Sequence, residues 1–127
     1  MNGLLTDFYE LTMAAGYFAA GKASEIGTFE LSIRRLPPNR NFVIAAGLAQ
    51  VVDYLLNFRF SEDEIEYLRG LPQFSTSRSE FFEHLRGLRF TGDLFAVPEG
   101  TPIFAGEPVL TVRAPLIEAQ IAETYLL

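Results

Sequence analysis

The segment Thr6-Asp7-Phe8-Tyr9 sets a carboxylate and a phenol together at the expected start of a helix, where free backbone N–H groups favour an anion. An aromatic face there can also stack on a flat ring. A capping aspartate and a core tyrosine account for the same letters, so the residues alone leave both readings open. Arg34 and Arg35 end a predicted strand beside the rigid turn Leu36-Pro37-Pro38-Asn39. Their guanidinium forks suit a phosphate or a carboxylate, and equally an ordinary charged strand end. His84 follows Glu80 at helical i, i+4 spacing, as in an exposed ion pair. Glu62, Asp63 and Glu64 fall in a predicted first helical turn, where solvated negative charge suits the helix dipole.

Composition removes several other chemistries. With no cysteine there is no disulfide framework, thiolate nucleophile or cysteine-based metal site, and a single histidine forms no cluster. No Walker-type or Rossmann glycine pattern occurs; Gly100 and Gly106 stand in turns of a β-rich stretch. Ten Lys and Arg against sixteen Asp and Glu give a net charge of -6, with Lys22 the one lysine. That balance argues against a nucleic-acid or anionic-membrane surface. The opening MNGLLTDFYELTMAAGYFAAG lacks a basic start and carries Asp7 and Glu10, so it reads as a folded helix and not a secretory leader. No run approaches the roughly 20 apolar residues of a membrane span. A soluble protein of a reducing compartment, the cytoplasm, is the expectation.

The 127 residues, 49% hydrophobic and 20% charged, suit one packed domain and are too few for a complete two-domain enzyme. The first helix is expected to run to about Ala20 and stop near Gly21, with Asp7 and Glu10 at capping-box spacing. Its apolar residues cover two faces: Phe8, Leu11, Ala15 and Phe18 on one, Tyr9, Met13 and Tyr17 about 100° away, more than a surface helix needs. A second covering surface is therefore expected. Alternation over residues 26–33 predicts a half-buried strand, and Phe42 to Ala46 a short buried one. Beyond Gly47, Leu48, Val51, Val52, Leu55 and Leu56 mark one face of a helix.

Ser61 with Glu64 and Ser77 with Glu80 predict two more capping boxes, on helices that bury Ile65 and Leu68, then Phe81, Phe82 and Leu85. Gly70 and Gly87 are their expected stops. DLFAV, PEGTPIF and AGEPVLTVRA predict one small antiparallel β unit, and Pro115 the first position of a last helix. That helix ends on Leu126-Leu127 without a capping group, the pattern expected of an element cut in mid-course. The predicted class is α+β, with helices packed on a mostly antiparallel sheet.

In this order, LLTDFYELTMAAGYF, TFELSIRRLPPNRNFVIAAGL and FFEHLRGLRFTGDLFAVPEGTPIFAGEPVLTVRAPLIEAQIAETYLL closely resemble the N-terminal part of nicotinate phosphoribosyltransferases, over essentially the whole chain. The resemblance implies an enzyme of NAD salvage that joins nicotinate to 5-phosphoribosyl 1-diphosphate and releases diphosphate, with coupled ATP hydrolysis and Mg²⁺. It implies residues 1–115 as a small α+β domain and residues 116–127 as the start of a helix leading to an absent barrel-like α/β domain. It further implies a head-to-tail homodimer with composite sites, in which Tyr9 stacks on the pyridine ring in the partner subunit's site and Asp7 supports it at the rim.

The phosphorylatable histidine, the arginines that grip nicotinate and the phosphate loops of that family belong to the absent domain, and His84 does not match that histidine. The fragment alone is expected to be inactive and to bind no cofactor, since Asp7 and Tyr9 cannot offset the charge that moves as diphosphate leaves. Two alternatives stand beside this reading. One is a lipoyl- or biotinyl-type carrier module, suggested by EGTPIFAGEPVLTV, although Lys22 lies far from that hairpin. The other is a relative acting on nicotinamide or quinolinate.

Overall fold

In the computed structural model, which describes residues 3–127, α1 (Phe8–Ala19) leads into β1 (Ile26–Ser32), β2 (Val43–Ile44) and helices α2 (Leu48–Asn57), α3 (Glu62–Arg69) and α4 (Ser79–Gly87). A single 3-10 turn, Pro72–Phe74, joins α3 to α4. Strands β3 (Asp93–Ala96), β4 (Pro102–Ile103) and β5 (Pro108–Pro115) follow, then α5 (Leu116–Leu126). The class is α+β with antiparallel pairing, as expected.

The predicted β unit does not form as one sheet. β5 lies at the centre of a three-stranded sheet of order β1-β5-β3, and β4 leaves it to pair with β2 through Val43↔Ile103 and Ile44↔Pro102. The missing edge comes from far back in the sequence, where β1 pairs with β5 from Ile26↔Pro115 to Leu31↔Leu110. Strand signals are local, whereas pairing follows the faces that must be buried. Leu110, Val112 and Ala114 alternate onto the inner face of β5 and pack with Ala119 of α5. At the entry to β3 only glycine fits: a Cβ on Gly92 would lie 2.8 Å from the Cα of Ala114.

α1 stops as expected, with Gly21 in the left-handed region at φ 71°. The buried face of α2 differs from the predicted one. It carries Tyr54 and Leu55, while Val52 is exposed and Leu56 is 79% exposed. Burial goes to the larger ring, which stacks on Tyr125 at 4.0 Å between centroids. Glu99, from the turn between β3 and β4, caps α2 by accepting hydrogen bonds from the Gly47 and Ala49 N–H groups at 3.0 and 3.2 Å.

α3 and α4 bury the residues their periodicity marks: Ile65 and Leu68, then Phe81, Phe82 and Leu85. An aromatic string links them to α1, with Phe8 edge-on to Phe74 at 6.0 Å, Phe74 stacked on Phe81 at 6.2 Å and Phe81 beside Phe18 at 5.7 Å. Glu62 is not merely solvated, because its carboxylate accepts a paired hydrogen bond from Arg86 at 2.7 and 2.9 Å and so ties α3 to α4. The expected Glu80–His84 pair is absent: Glu80 accepts from the Ser79 hydroxyl, and His84 packs on Phe18 at 5.4 Å with Nε2 buried and without a partner among the described residues. Burial pushes the His84 imidazole below its ordinary pKa and favours the neutral ring.

Of the predicted capping boxes, the one at Ser61 forms. Its hydroxyl accepts from the Glu64 N–H at 3.2 Å, and its own N–H donates to the Glu64 carboxylate at 2.7 Å. The box at Ser77 does not, because α4 opens two residues later with Arg78 as its N-cap. Pro115 likewise ends β5 and caps α5 in place of opening it. Ser61→Ala should therefore lower unfolding stability by about 1 kcal/mol, whereas Ser77→Ala should stay within about 0.5 kcal/mol of the parent in urea titration.

Candidate functional site

α1 begins where an extended Asp7 turns the chain into the helix, yet Asp7 makes no side-chain cap, so the Asp7–Glu10 pair is the second predicted capping box that does not form. Glu10 faces inward and is fully buried. The groups that would have completed the box are taken by α5. The Asp7 N–H donates to Thr124 Oγ1 at 2.9 Å, and the Thr124 hydroxyl donates to Glu10 Oε1 at 2.8 Å. Thr6 Oγ1 donates to the Ile121 carbonyl at 3.0 Å. The start of α1 is thus capped by a neighbouring helix.

Burial raises the Glu10 pKa against the opposing pull of the Thr124 hydroxyl. Its Oε2 and the buried Tyr54 hydroxyl are both without a partner among the described residues. Tyr54 is raised too, first by its own burial and then by the nearby Glu10 charge. A second buried carboxylate, Glu118, accepts from the Thr91 N–H at 2.6 Å and from its hydroxyl at 3.0 Å.

Tyr9 and Asp7, the two predicted site residues, lie together on the exposed side of this helix start. The Tyr9 ring is 45% exposed. Its hydroxyl donates to Glu123 Oε1 at 2.8 Å. Glu123 Oε2 accepts from Gln120 Nε2 at 2.7 Å, and Gln120 Oε1 accepts from the Tyr17 hydroxyl at 3.3 Å. Of the second apolar face expected of α1, Tyr9 and Met13 are exposed while Tyr17 packs against the core, and Phe8 of the first face is exposed beside them.

Sequence reasoning missed Gln120, Glu123 and Thr124. Their signal was present: polar residues at helical i, i+3, i+4 spacing in an otherwise apolar stretch. Arg34 and Arg35 are exposed beyond β1 and make no ion pair with Asp7 or Glu123 among the described residues.

Beside Glu123 runs an open groove of about 320 Å³ between the sheet and α5, lined by Phe29, Leu31, Leu110 and Leu126, with Glu30 and Glu123 its charged groups. Such a groove repels phosphates and carboxylates. No group of three or more His, Cys, Asp or Glu side chains among the described residues could hold a metal ion. No described helix is long and apolar enough to cross a membrane. The arrangement can therefore present an aromatic face and fix its direction, but among the described residues it offers no cation for a leaving anion.

The hydrogen bond to Glu123, helped by the surrounding carboxylates, raises the Tyr9 phenol from 10.0 to about 12. The neutral phenol is the favoured form, so its contribution to stability is complete below pH 10 and is lost as the pH rises through about 12. An ultraviolet difference titration of the parent chain against Tyr9→Phe should show the missing phenol ionising near 12; a missing step near 10 would contradict the bond to Glu123.

Comparison with known proteins gives one consistent match. Residues 4–127 match the family model for the nicotinate phosphoribosyltransferase N-terminal domain. The chain is 51% identical, over all of its length and 27% of the relative's, to nicotinate phosphoribosyltransferase pncB2 of Mycobacterium tuberculosis. It is 42% identical to human nicotinate phosphoribosyltransferase, over 98% of this chain and 23% of that protein. It therefore spans about a quarter of the length of these relatives. The crystal structure of human nicotinic acid phosphoribosyltransferase superposes with a TM-score of 0.87 at 40% identity, covering 95% of this chain and 24% of that one. In sequence and in fold alike, this chain belongs to the nicotinate phosphoribosyltransferase family, as its N-terminal domain.

Proposed function

We propose that the chain is the substrate-side cap of a cytoplasmic, homodimeric nicotinate phosphoribosyltransferase. The enzyme joins nicotinate to 5-phosphoribosyl 1-diphosphate, releases diphosphate, and couples the step to ATP hydrolysis in NAD salvage. Tyr9 offers its ring as a platform for the pyridine in a site completed by the partner subunit, and Asp7 supports the rim. The observation that carries this reading is the half-open Tyr9 ring, held by its hydroxyl at the start of a helix that also exposes Phe8 and Met13.

The rest of the chemistry lies outside this chain. Diphosphate departure needs cations or Mg²⁺ at the leaving oxygens, and the open groove beside Glu123 carries carboxylates instead. The described residues do not fit a metal site. Alone, the chain is expected to be inactive. The carrier-module alternative gains no support from the structure, because Lys22 is paired with Glu25 at 3.1 Å, just after α1 and away from the hairpin.

In the full-length enzyme carrying this chain, Tyr9→Ala should raise the KM for nicotinate about tenfold, from the loss of one aromatic contact. The KM for 5-phosphoribosyl 1-diphosphate should stay within about twofold. Steady-state kinetics with nicotinate, nicotinamide and quinolinate measured side by side test both the platform and the substrate. Unchanged nicotinate kinetics would remove Tyr9 from the site.

A further inference from the structure

We infer that Glu123 is a positioning residue for Tyr9, setting the direction of the phenol ring through the Tyr9–Glu123–Gln120–Tyr17 hydrogen-bond chain. The inference rests on the reading of Tyr9 as the ring platform and adds to it the residues that aim the platform. A tyrosine on the first turn of a helix, almost half exposed, would otherwise be free to change rotamer, and a stacking partner would lose affinity in ordering it.

The hydroxyl of Tyr9 is fixed at 2.8 Å by a carboxylate that is itself fixed. Gln120, only 3% exposed, donates to the other Glu123 oxygen at 2.7 Å. The Gln120 carbonyl oxygen is in turn held by the Tyr17 hydroxyl at 3.3 Å, two turns along α1 from Tyr9. The chain of bonds leaves α1, crosses α5 and returns to α1, so neither Glu123 nor Tyr9 can swing without breaking a bond elsewhere.

The charge has a second consequence. An anionic acceptor on the phenol proton pushes electron density into the ring, which strengthens stacking on an electron-poor heteroaromatic ring such as pyridine.

A purely structural staple between α1 and α5 is the competing explanation. That task is already performed by Thr6 on Ile121, by Thr124 on Asp7 and Glu10, and by the buried contact of Leu11 and Ala14 with Ile117 and Ile121. The bond between Tyr9 and Glu123 is exposed, and its loss should cost little stability.

The test uses Tyr9→Phe, Glu123→Ala, the double variant and Tyr9→Ala in the full-length enzyme, with melting temperatures recorded for each. Tyr9→Phe and Glu123→Ala should each raise the nicotinate KM roughly threefold to fivefold, within the range for losing one net hydrogen bond. The values of kcat and of the KM for 5-phosphoribosyl 1-diphosphate should hold. The double variant should be no worse than either single one, because both remove the same bond.

Additive effects in the double variant, or an unchanged nicotinate KM with a lowered melting temperature, would overturn the positioning role. If Tyr9→Ala raises KM while Tyr9→Phe and Glu123→Ala do not, the platform survives and this inference falls. If Tyr9→Ala leaves KM unchanged, both fall together.

Discussion

The docking of α5 on α1 is the contact on which the remaining architecture depends. It joins the first helix to the last, more than a hundred residues apart, through apolar burial of Leu11 and Ala14 against Ile117, Ile121 and Ala122. A file of hydrogen bonds runs along one side of it. Because α5 continues directly from the central strand β5, the same contact seats the sheet against the helices. It also supplies the cap that α1 lacks, since Thr124 and the Ile121 carbonyl meet the groups that Thr6, Asp7 and Glu10 would otherwise leave to one another.

The two helices each carry a buried carboxylate, Glu10 on α1 and Glu118 on α5, a costly arrangement in a domain of this size. Glu10 and Glu118 each settle on a threonine hydroxyl, Thr124 and Thr91, and burial raises both carboxyls. Neither has a basic partner among the ion pairs described. The Arg residues that do pair act within and between α3 and α4, where Arg86 bridges Glu62 and Glu83 and Arg69 meets Glu66. Among the described residues, the start of α1 is therefore acidic, aromatic and polar, with no cation paired to Asp7, Glu10 or Glu123.

Much of the fold could be read in the letters wherever a signal is local. The Ser61–Glu64 box, the glycine stop of α1, the alternation of β1 and the buried faces of α3 and α4 each depend on neighbours within a turn or a strand. Where the reading failed, a distant group competed for the same residue. Glu10 turned inward to Thr124, Leu56 lost the core to Tyr54 stacked on Tyr125, and β4 left its hairpin neighbour for β2. His84 was drawn by Phe18 in place of Glu80, because a neutral ring packs well on another ring and a surface ion pair is worth little.

By itself, the sequence determined the α+β class, the exclusion of cysteine and histidine-cluster chemistry, and the pairing of a carboxylate with a phenol at the start of α1. Composition and short-range spacing suffice for those. Only the tertiary structure decided that Tyr9 stands half open with its hydroxyl on Glu123, that Asp7 is capped through its backbone by Thr124, and that Gln120 is the buried anchor behind them. Those partners lie a full chain length away from α1. Hydrogen-bond capacity is written into each residue type, but the choice among acceptors is made by which helices come to share a core.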